Sequence, residues 1–264
     1  MNNPVRVVIA QILAQPSDEE NELKRKLNLP LFRLDKIDKS IAPFFLRVDR
    51  NGLALHSTAE ISPGELRVNF SSLRFRVNNA LFKQNLLKAV GARRGRRPKI
   101  LDATAGLGTD SFLLANAGCS VIAFEANPVV FALLEDGVMR YKQLGIKEEK
   151  IVSNLFLKNE DFLSTESVSN EIEVVYLDPM FPSKPKAAQA KKGMAYLQEL
   201  VGKNNTDAKL FGLATDIARN RVVVKRAKKS PFMSMAKPTL SFKGGSCRFD
   251  VYLLNRATLP RIDS

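Results

Sequence analysis

Two short segments hold residue types that could do chemistry together. One is Asp102-Ala103-Thr104-Ala105-Gly106-Leu107-Gly108-Thr109-Asp110, and the other is Asp178-Pro179-Met180-Phe181. Each follows an apolar run, Ile100-Leu101 and Val174-Val175-Tyr176-Leu177. Gly106-x-Gly108 would let a nucleoside ligand approach the backbone closely where a strand turns into a helix. The third glycine of a dinucleotide fingerprint would fall at position 111, where Ser111 stands, and this weakens a nicotinamide-dinucleotide reading. Glu125 lies seventeen residues beyond Gly108, at the expected end of the next strand, where an acid can accept both ribose hydroxyls. Asp161, after a third strand, could receive an adenine amino group. A helix N-cap is the competing role for each acid; Asn127 fills it near Glu125, whereas no neighbour competes with Asp161 for it.

Asp178 and a neighbouring backbone carbonyl could accept the two N–H bonds of a planar exocyclic amine. Such an amine delocalises its lone pair into the ring and is a poor nucleophile, so accepting its hydrogens favours reaction at nitrogen. Pro179 would stiffen the turn, and Phe181 would offer a face for a stacked base. A strand-ending turn with a core phenylalanine is the plain alternative.

From residue 100 onward, strand and helix patterns alternate. Strands are expected at 100–104, 120–125, 151–158, 173–177 and 221–225, with candidates at 238–243 and 248–254. Helices are expected at 109–117, from Pro128 to about 140, and in segments of 184–218. Alternation of this kind predicts an α/β fold with a doubly wound, mainly parallel sheet. The first 78 residues predict a small mixed α/β region, with the larger domain over 79–264. Val5–Leu13 could be strand or short helix. Phe44–Asp49 and Leu53–His56 read as a hairpin turning at Asn51-Gly52, and 66–70 as a further strand. A helical face over 79–90 ends at Gly91.

The 264-residue chain carries 41 Lys and Arg against 27 Asp and Glu, a net +14. An excess of this size favours nucleic acid or another anionic surface as partner. Three clusters stand out: Arg93, Arg94, Arg96, Arg97 and Lys99; Lys184, Lys186, Lys191 and Lys192; and Lys225, Arg226, Lys228 and Lys229. Together they suggest one phosphate-binding face. Two cysteines and a single histidine, His56, argue against a disulfide framework and a His/Cys metal site. No apolar run reaches the ~20 residues of a membrane span, and no secretory leader is evident, so a cytoplasmic location is expected.

The strings around these residues resemble known enzymes. Asp102 or Asp110, Glu125 and Asp161 at successive strand ends resemble the S-adenosylmethionine site of class I (Rossmann-like) methyltransferases. Asp178-Pro179-Met180-Phe181 resembles the [Asn/Asp]-Pro-Pro-[Tyr/Phe] motif of enzymes that methylate planar amino nitrogens, with Met180 replacing the usual second proline. Asp102–Gly108, Glu125–Val130, Leu133–Gly137, Val175–Pro182, Leu200–Gly202, Arg221–Arg226 and Arg248–Asp250, in this order over roughly 86–252, resemble the RsmJ family. Members of that family methylate N2 of a guanosine in 16S (small-subunit) ribosomal RNA. The resemblance implies S-adenosylmethionine as cofactor, and 16S rRNA or the small ribosomal subunit as partner. It places Thr109, Asp110, Glu125, Ala126, Glu160, Asp161 and Asp178 at cofactor-contacting positions, beside Asp102, Gly106 and Gly108. Asp178, Pro179 and Phe181 become catalytic candidates. Lys184, Lys186, Lys191, Lys192, Lys225 and Arg226 become RNA contacts. Thr109 stands where the family commonly has Arg, and Glu160-Asp161 where it has Ser-type residues. A glycine-rich segment common before the methyltransferase domain is replaced by Val77–Phe82. The alternatives are an N-methyltransferase for another amine, or a non-catalytic RNA-binding protein on a Rossmann-like fold.

Overall fold

The computed structural model describes residues 6–59, 65–76, 81–165, 168, 171–179, 206–234 and 236–254. The first part of the chain forms β1 (Val7–Gln11), α1 (Asp18–Leu27), β2 (Leu31–Arg33), β3 (Phe44–Asp49) and β4 (Gly52–Ser57). These strands make a four-stranded sheet in the order β2-β1-β3-β4. Within the segment Val5–Leu13, ambiguous from periodicity, Val7–Gln11 is a strand. β3 and β4 pair antiparallel as expected, and Gly52 takes the positive φ of 99° that the tight turn demands.

The remainder forms α2 (Asn85–Val90), β5 (Ile100–Asp102), α3 (Thr109–Asn116), β6 (Val121–Phe124), α4 (Pro128–Lys142) and α5 (Ile146–Val152). It continues with β7 (Leu155–Lys158), β8 (Val174–Leu177), α6 (Asp207–Ile217), β9 (Arg221–Ala227), β10 (Leu240–Lys243) and β11 (Cys247–Leu253). A seven-stranded sheet runs in the order β10-β11-β9-β8-β5-β6-β7. β7, β6, β5, β8 and β9 are parallel, and β11 lies antiparallel between β9 and β10. The chain leaves β5 toward β6 on one side, whereas β8 lies on its other side. The crevice at the carboxyl ends of β5 and β8 is therefore a topological switch point, the place where open α/β sheets bind ligands.

Valine and other apolar residues fill β8 and β9 because both faces of the sheet are covered. On one face, α2 and α3 pack Leu87, Val90 and Leu114 against Ile100, Tyr176 and Val223; on the other, α6 packs Leu210 and Ala214 against Val175, Val222 and Val224. Asn127 caps α4 by accepting from the backbone N–H groups of Val129 and Val130, with Pro128 at the first helical position. A third core joins the two sheets. Ile9, Phe44, Leu46 and Leu55 pack with Leu133 and Leu134 of α4 and with Phe70 and Phe112, whose rings stack at 4.5 Å. The small N-terminal region thus shares a core with the larger domain, while the expected boundary at 78/79 lies outside the described residues.

Three expectations change. The expected strand 151–158 begins only at Leu155, because Ile146–Val152 is helix; buried Val152 and partly buried Ile151 serve its inner face. The strand expected over 66–70 is reduced to one isolated bridge from Leu66 to Leu55, and a 3-10 helix, Phe70–Arg76, begins at its end. Buried Val68 and Phe70 pack into the shared core, a tertiary demand that overrides their strand propensity. The helix expected over 79–90 is a 3-10 turn at Leu81–Lys83 followed by α2, closed at Gly91 as read.

Candidate active site

The loop after β5 is built by groups that hold it from beneath. Ala103 N–H donates to Tyr176 O of β8 at 3.0 Å, and Ala105 N–H to Phe124 O of β6 at 2.9 Å. Asp102 is 1% exposed. Its carboxylate receives Ser111 Oγ at 2.5 Å and Thr104 N–H at 3.1 Å. Burial pushes this carboxyl up to about 7, against the two hydrogen bonds and with Asp110 and Asp178 adding to the rise. Asp102 therefore braces the loop from inside the protein rather than facing a ligand, which corrects its expected place among the cofactor contacts. Ser111, which weakened a dinucleotide reading, supplies the matching donor.

The two glycines have different reasons to be there. Gly106 (φ 55°) has open space where a Cβ would stand. Gly108 (φ 73°) is buried, and a Cβ there would overlap Leu134 of α4 and approach Phe70. Gly106 leaves the space above the loop open, while Gly108 admits α4 and the shared core. Thr109 is exposed at the first turn of α3.

Glu125 leaves the end of β6 and reaches across to the loop. It accepts from Gly106 N–H at 2.9 Å and from Asn127 N–H at 2.7 Å. Burial raises its pKa, and these two bonds oppose the rise. Ala126 beside it is exposed. Asn159 Nδ2 donates to Glu125 O at 2.9 Å, tying the exit of β7 to that of β6. Half-buried Glu160 and exposed Asp161 follow. Asp161 accepts from Leu163 N–H at 3.0 Å and caps the 3-10 turn Phe162–Ser164, so the capping role open to it is filled by Asp161 itself.

Asp178 stands at the switch point. Its N–H donates to Thr104 Oγ1 at 2.6 Å, which docks the end of β8 on the glycine loop. Its Oδ2 receives Lys225 Nζ at 2.8 Å. The same Nζ lies 2.7 Å from Oδ2 of Asp110, which also accepts the Tyr176 hydroxyl at 2.6 Å. Burial raises the Asp178 carboxyl, Lys225 pulls it back, and Asp110 reinforces the rise. Burial lowers the Lys225 ammonium, but Asp178 and Asp110 together carry it above its ordinary value. Pro179 is half-buried at the turn. Met180, Phe181, Lys184, Lys186, Lys191 and Lys192 lie outside the described residues.

Lys225 and Arg226, expected as phosphate contacts, are both engaged by protein groups. Side chains alternate across a strand. Lys225 therefore points to the α3 side and into the carboxylates. Arg226 points to the α6 side, where its side chain is 4% exposed and donates to Pro231 O and Asp207. Arg226 and buried Arg248, which donates to Ala227 O and Lys228 O, hold the loop after β9 in place. Lys228 and Lys229 on that loop are exposed, at the same sheet edge as Asp178. The arginine-rich loop 93–99 lies at the opposite edge, before β5. There Arg96 pairs with Glu173, Lys99 pairs with Glu171, and Arg97 lies 4.5 Å from the Phe82 ring centroid. The first and third basic clusters therefore do not make one face, and the second lies outside the described residues.

Tyr176, Thr104 and the bridging role of Lys225 were missed from sequence. The signal for Lys225 was a cation closing a run of valines, where a side chain at a strand's carboxyl end faces the crevice. Among the described residues, no group of His, Cys, Asp and Glu is placed to hold a metal ion, and no helix is long and apolar enough to cross a membrane.

This sheet order and glycine loop, with acids at successive strand ends, define a class I methyltransferase fold and site. Residues 29–254 match the family model for SAM-dependent methyltransferases. The crystal structure of a SAM-dependent methyltransferase from Neisseria gonorrhoeae superposes with a TM-score of 0.71 at 29% identity, covering 95% of this chain and 98% of that one. The chain is thus an S-adenosylmethionine-dependent methyltransferase. The ribosomal RNA small subunit methyltransferase J of Cellvibrio japonicus is 36% identical to it over 95% of this chain and 94% of its own length. The Coxiella burnetii protein of the same name is 37% identical over 89% of this chain and 92% of its own. The Pseudomonas fluorescens one is 39% identical over 80% and 83%. The chain belongs to the ribosomal RNA small subunit methyltransferase J family.

Proposed function

We propose that this enzyme methylates the exocyclic N2 amine of a guanosine in 16S rRNA, with the cofactor lying over Gly106 between Glu125 and Asp178. The observation that carries the reading is Asp178 docked on the glycine loop at the switch point. The residues fit the cofactor: Gly106 leaves room for a sugar, Glu125 leads from the loop to the ribose position, and Asp161 borders the adenine position. Bound there, S-adenosylmethionine supplies an electrophilic methyl group. Lys225 engages Oδ2 of Asp178, and among the described residues Oδ1 takes no hydrogen bond. Oδ1 can accept one N–H of the guanine amine, raising electron density on nitrogen, and the proton that N2 gives up leaves along that bond. Positioning supplies most of the rate, because methyl transfer needs in-line approach. The net +14 and exposed Lys228 and Lys229 at the same edge favour a polyanionic substrate over a small neutral one.

Asp178→Asn keeps the shape of the turn but removes the charge and presents N–H donors toward the amine. Turnover is expected to fall by about 10²-fold or more, while RNA affinity stays near the parent's, because phosphates supply most of it. Single-turnover methyl transfer with both ligands saturating reads this directly. A parental rate would make Asp178 a turn residue only.

A further inference from the structure

Lys225 is where three elements meet. Its Nζ lies 2.7 Å from Asp110 Oδ2 of α3 and 2.8 Å from Asp178 Oδ2 at the end of β8, and it is itself carried by β9. Tyr176 donates to the same Asp110 oxygen at 2.6 Å. The lysine is 27% exposed at its side chain, so the bridge is set back from bulk water at the floor of the crevice. Two carboxylates this close repel, and burial favours their neutral forms. Without a cation between them, one would take up a proton, and a protonated Asp178 could not serve as an anionic acceptor. Both Asp178 oxygens would also be free to turn.

We infer that Lys225 is a positioning residue for methyl transfer: its ammonium holds Asp110 and Asp178 together as carboxylates and turns Asp178 Oδ1 toward the substrate amine. The inference rests on the reading of Asp178 as the amine acceptor. It also replaces the phosphate contact expected of this lysine. Among the described residues, the titratable and charged groups around Asp178 are Lys225 from β9, Asp110 from α3, Tyr176 from β8, Asp102 from β5 and the half-buried Cys247 thiol from β11. Lys225 is the one cation among these described groups, so its removal leaves burial and like charge acting against the carboxylate there.

The test is the pH dependence of single-turnover methyl transfer by the full-length enzyme, with S-adenosylmethionine and unmodified small subunits saturating and folding checked by thermal melting. For Lys225→Met, turnover near neutral pH is expected to drop by about 10-fold or more, with the acid limb moved up by about one pH unit or more and activity recovering at higher pH. Lys225→Arg keeps the charge and is expected to restore the position of the acid limb. Asp110→Asn removes the competing carboxylate, so its acid limb is expected to move down. If Lys225→Met does not fold, the Asp110→Asn profile decides alone: a downward shift supports the bridge, and an unmoved limb overturns it. A Lys225→Met enzyme with a parental limb, whether or not the rate is lower, would also overturn it. If Asp178→Asn is slow while Lys225→Met keeps the parental profile, only the lysine's role fails. If Asp178→Asn turns over at the parental rate, the underlying reading fails instead.

Discussion

Single residues in this crevice are held by burial and paired charge, and their pH behaviour follows from that. Burial raises the Asp102 carboxyl to about 7 in the folded state, from an ordinary value of 3.8. Between those values the folded state binds more protons than the unfolded state. This group's contribution is therefore fully present below about 4 and is lost as pH rises through 7, at on the order of 1.4 kcal/mol per unit of displacement. Asp102→Asn removes that titration. Denaturant unfolding near pH 5 and near pH 8 should show a smaller stability loss in the variant than in the parent; an equal loss would show that Asp102 titrates normally. On the proposal that Glu125 holds the ribose hydroxyls, Glu125→Ala removes their charged acceptor and is expected to cost roughly 1.5–3 kcal/mol of S-adenosylmethionine binding by calorimetric titration. Unchanged affinity in a folded variant would remove Glu125 from the site. Asp102, Glu125 and Asp178 were legible because each closes an apolar run. The lysine bridge was not, because a charge count sees Lys225 and Arg226 as neighbours whereas a strand sends them to opposite faces.

At the scale of elements, the glycine loop separates two jobs that a motif shows as one. Gly106 faces open space, so Gly106→Ala should cost about 1 kcal/mol of stability through its positive φ, and its main effect should be on cofactor affinity. Gly108→Ala adds an overlap with Leu134 to the same strain and should destabilise by about 2 kcal/mol or more. Thermal melting and calorimetry on the pair would separate them; equal melting losses would contradict the assignment. The hairpin and α4 were legible because Asn51-Gly52 and Asn127-Pro128 are local signals with a backbone mechanism. α1 was not read, although Ser17 and Glu20 form a full capping box. Its body is almost wholly charged, and its apolar face shows only through Leu23 and Leu27. α5 was hidden for a related reason: Ile151 and Val152 looked like the start of a strand, and only their packing shows them as one face of a helix.

Across the described residues, basic charge is distributed rather than concentrated. The arginine loop 93–99 and the lysines after β9 lie at opposite edges of the sheet, and only the second shares an edge with Asp178. RNA affinity should therefore lose salt dependence when Lys228 and Lys229 become Gln, by up to about two in the slope, with cofactor affinity unchanged. Arg93→Gln with Arg94→Gln should leave the slope near the parent's. The reverse pattern would move the RNA path to the other edge. The most direct measurement for the account as a whole is labelled methyl transfer from S-adenosylmethionine to unmodified small subunits and to free 16S rRNA, followed by digestion and identification of the labelled nucleoside. Label in N2-methylguanosine is the predicted result. Label in any other nucleoside, or none in RNA from a folded, cofactor-binding enzyme, would contradict the account.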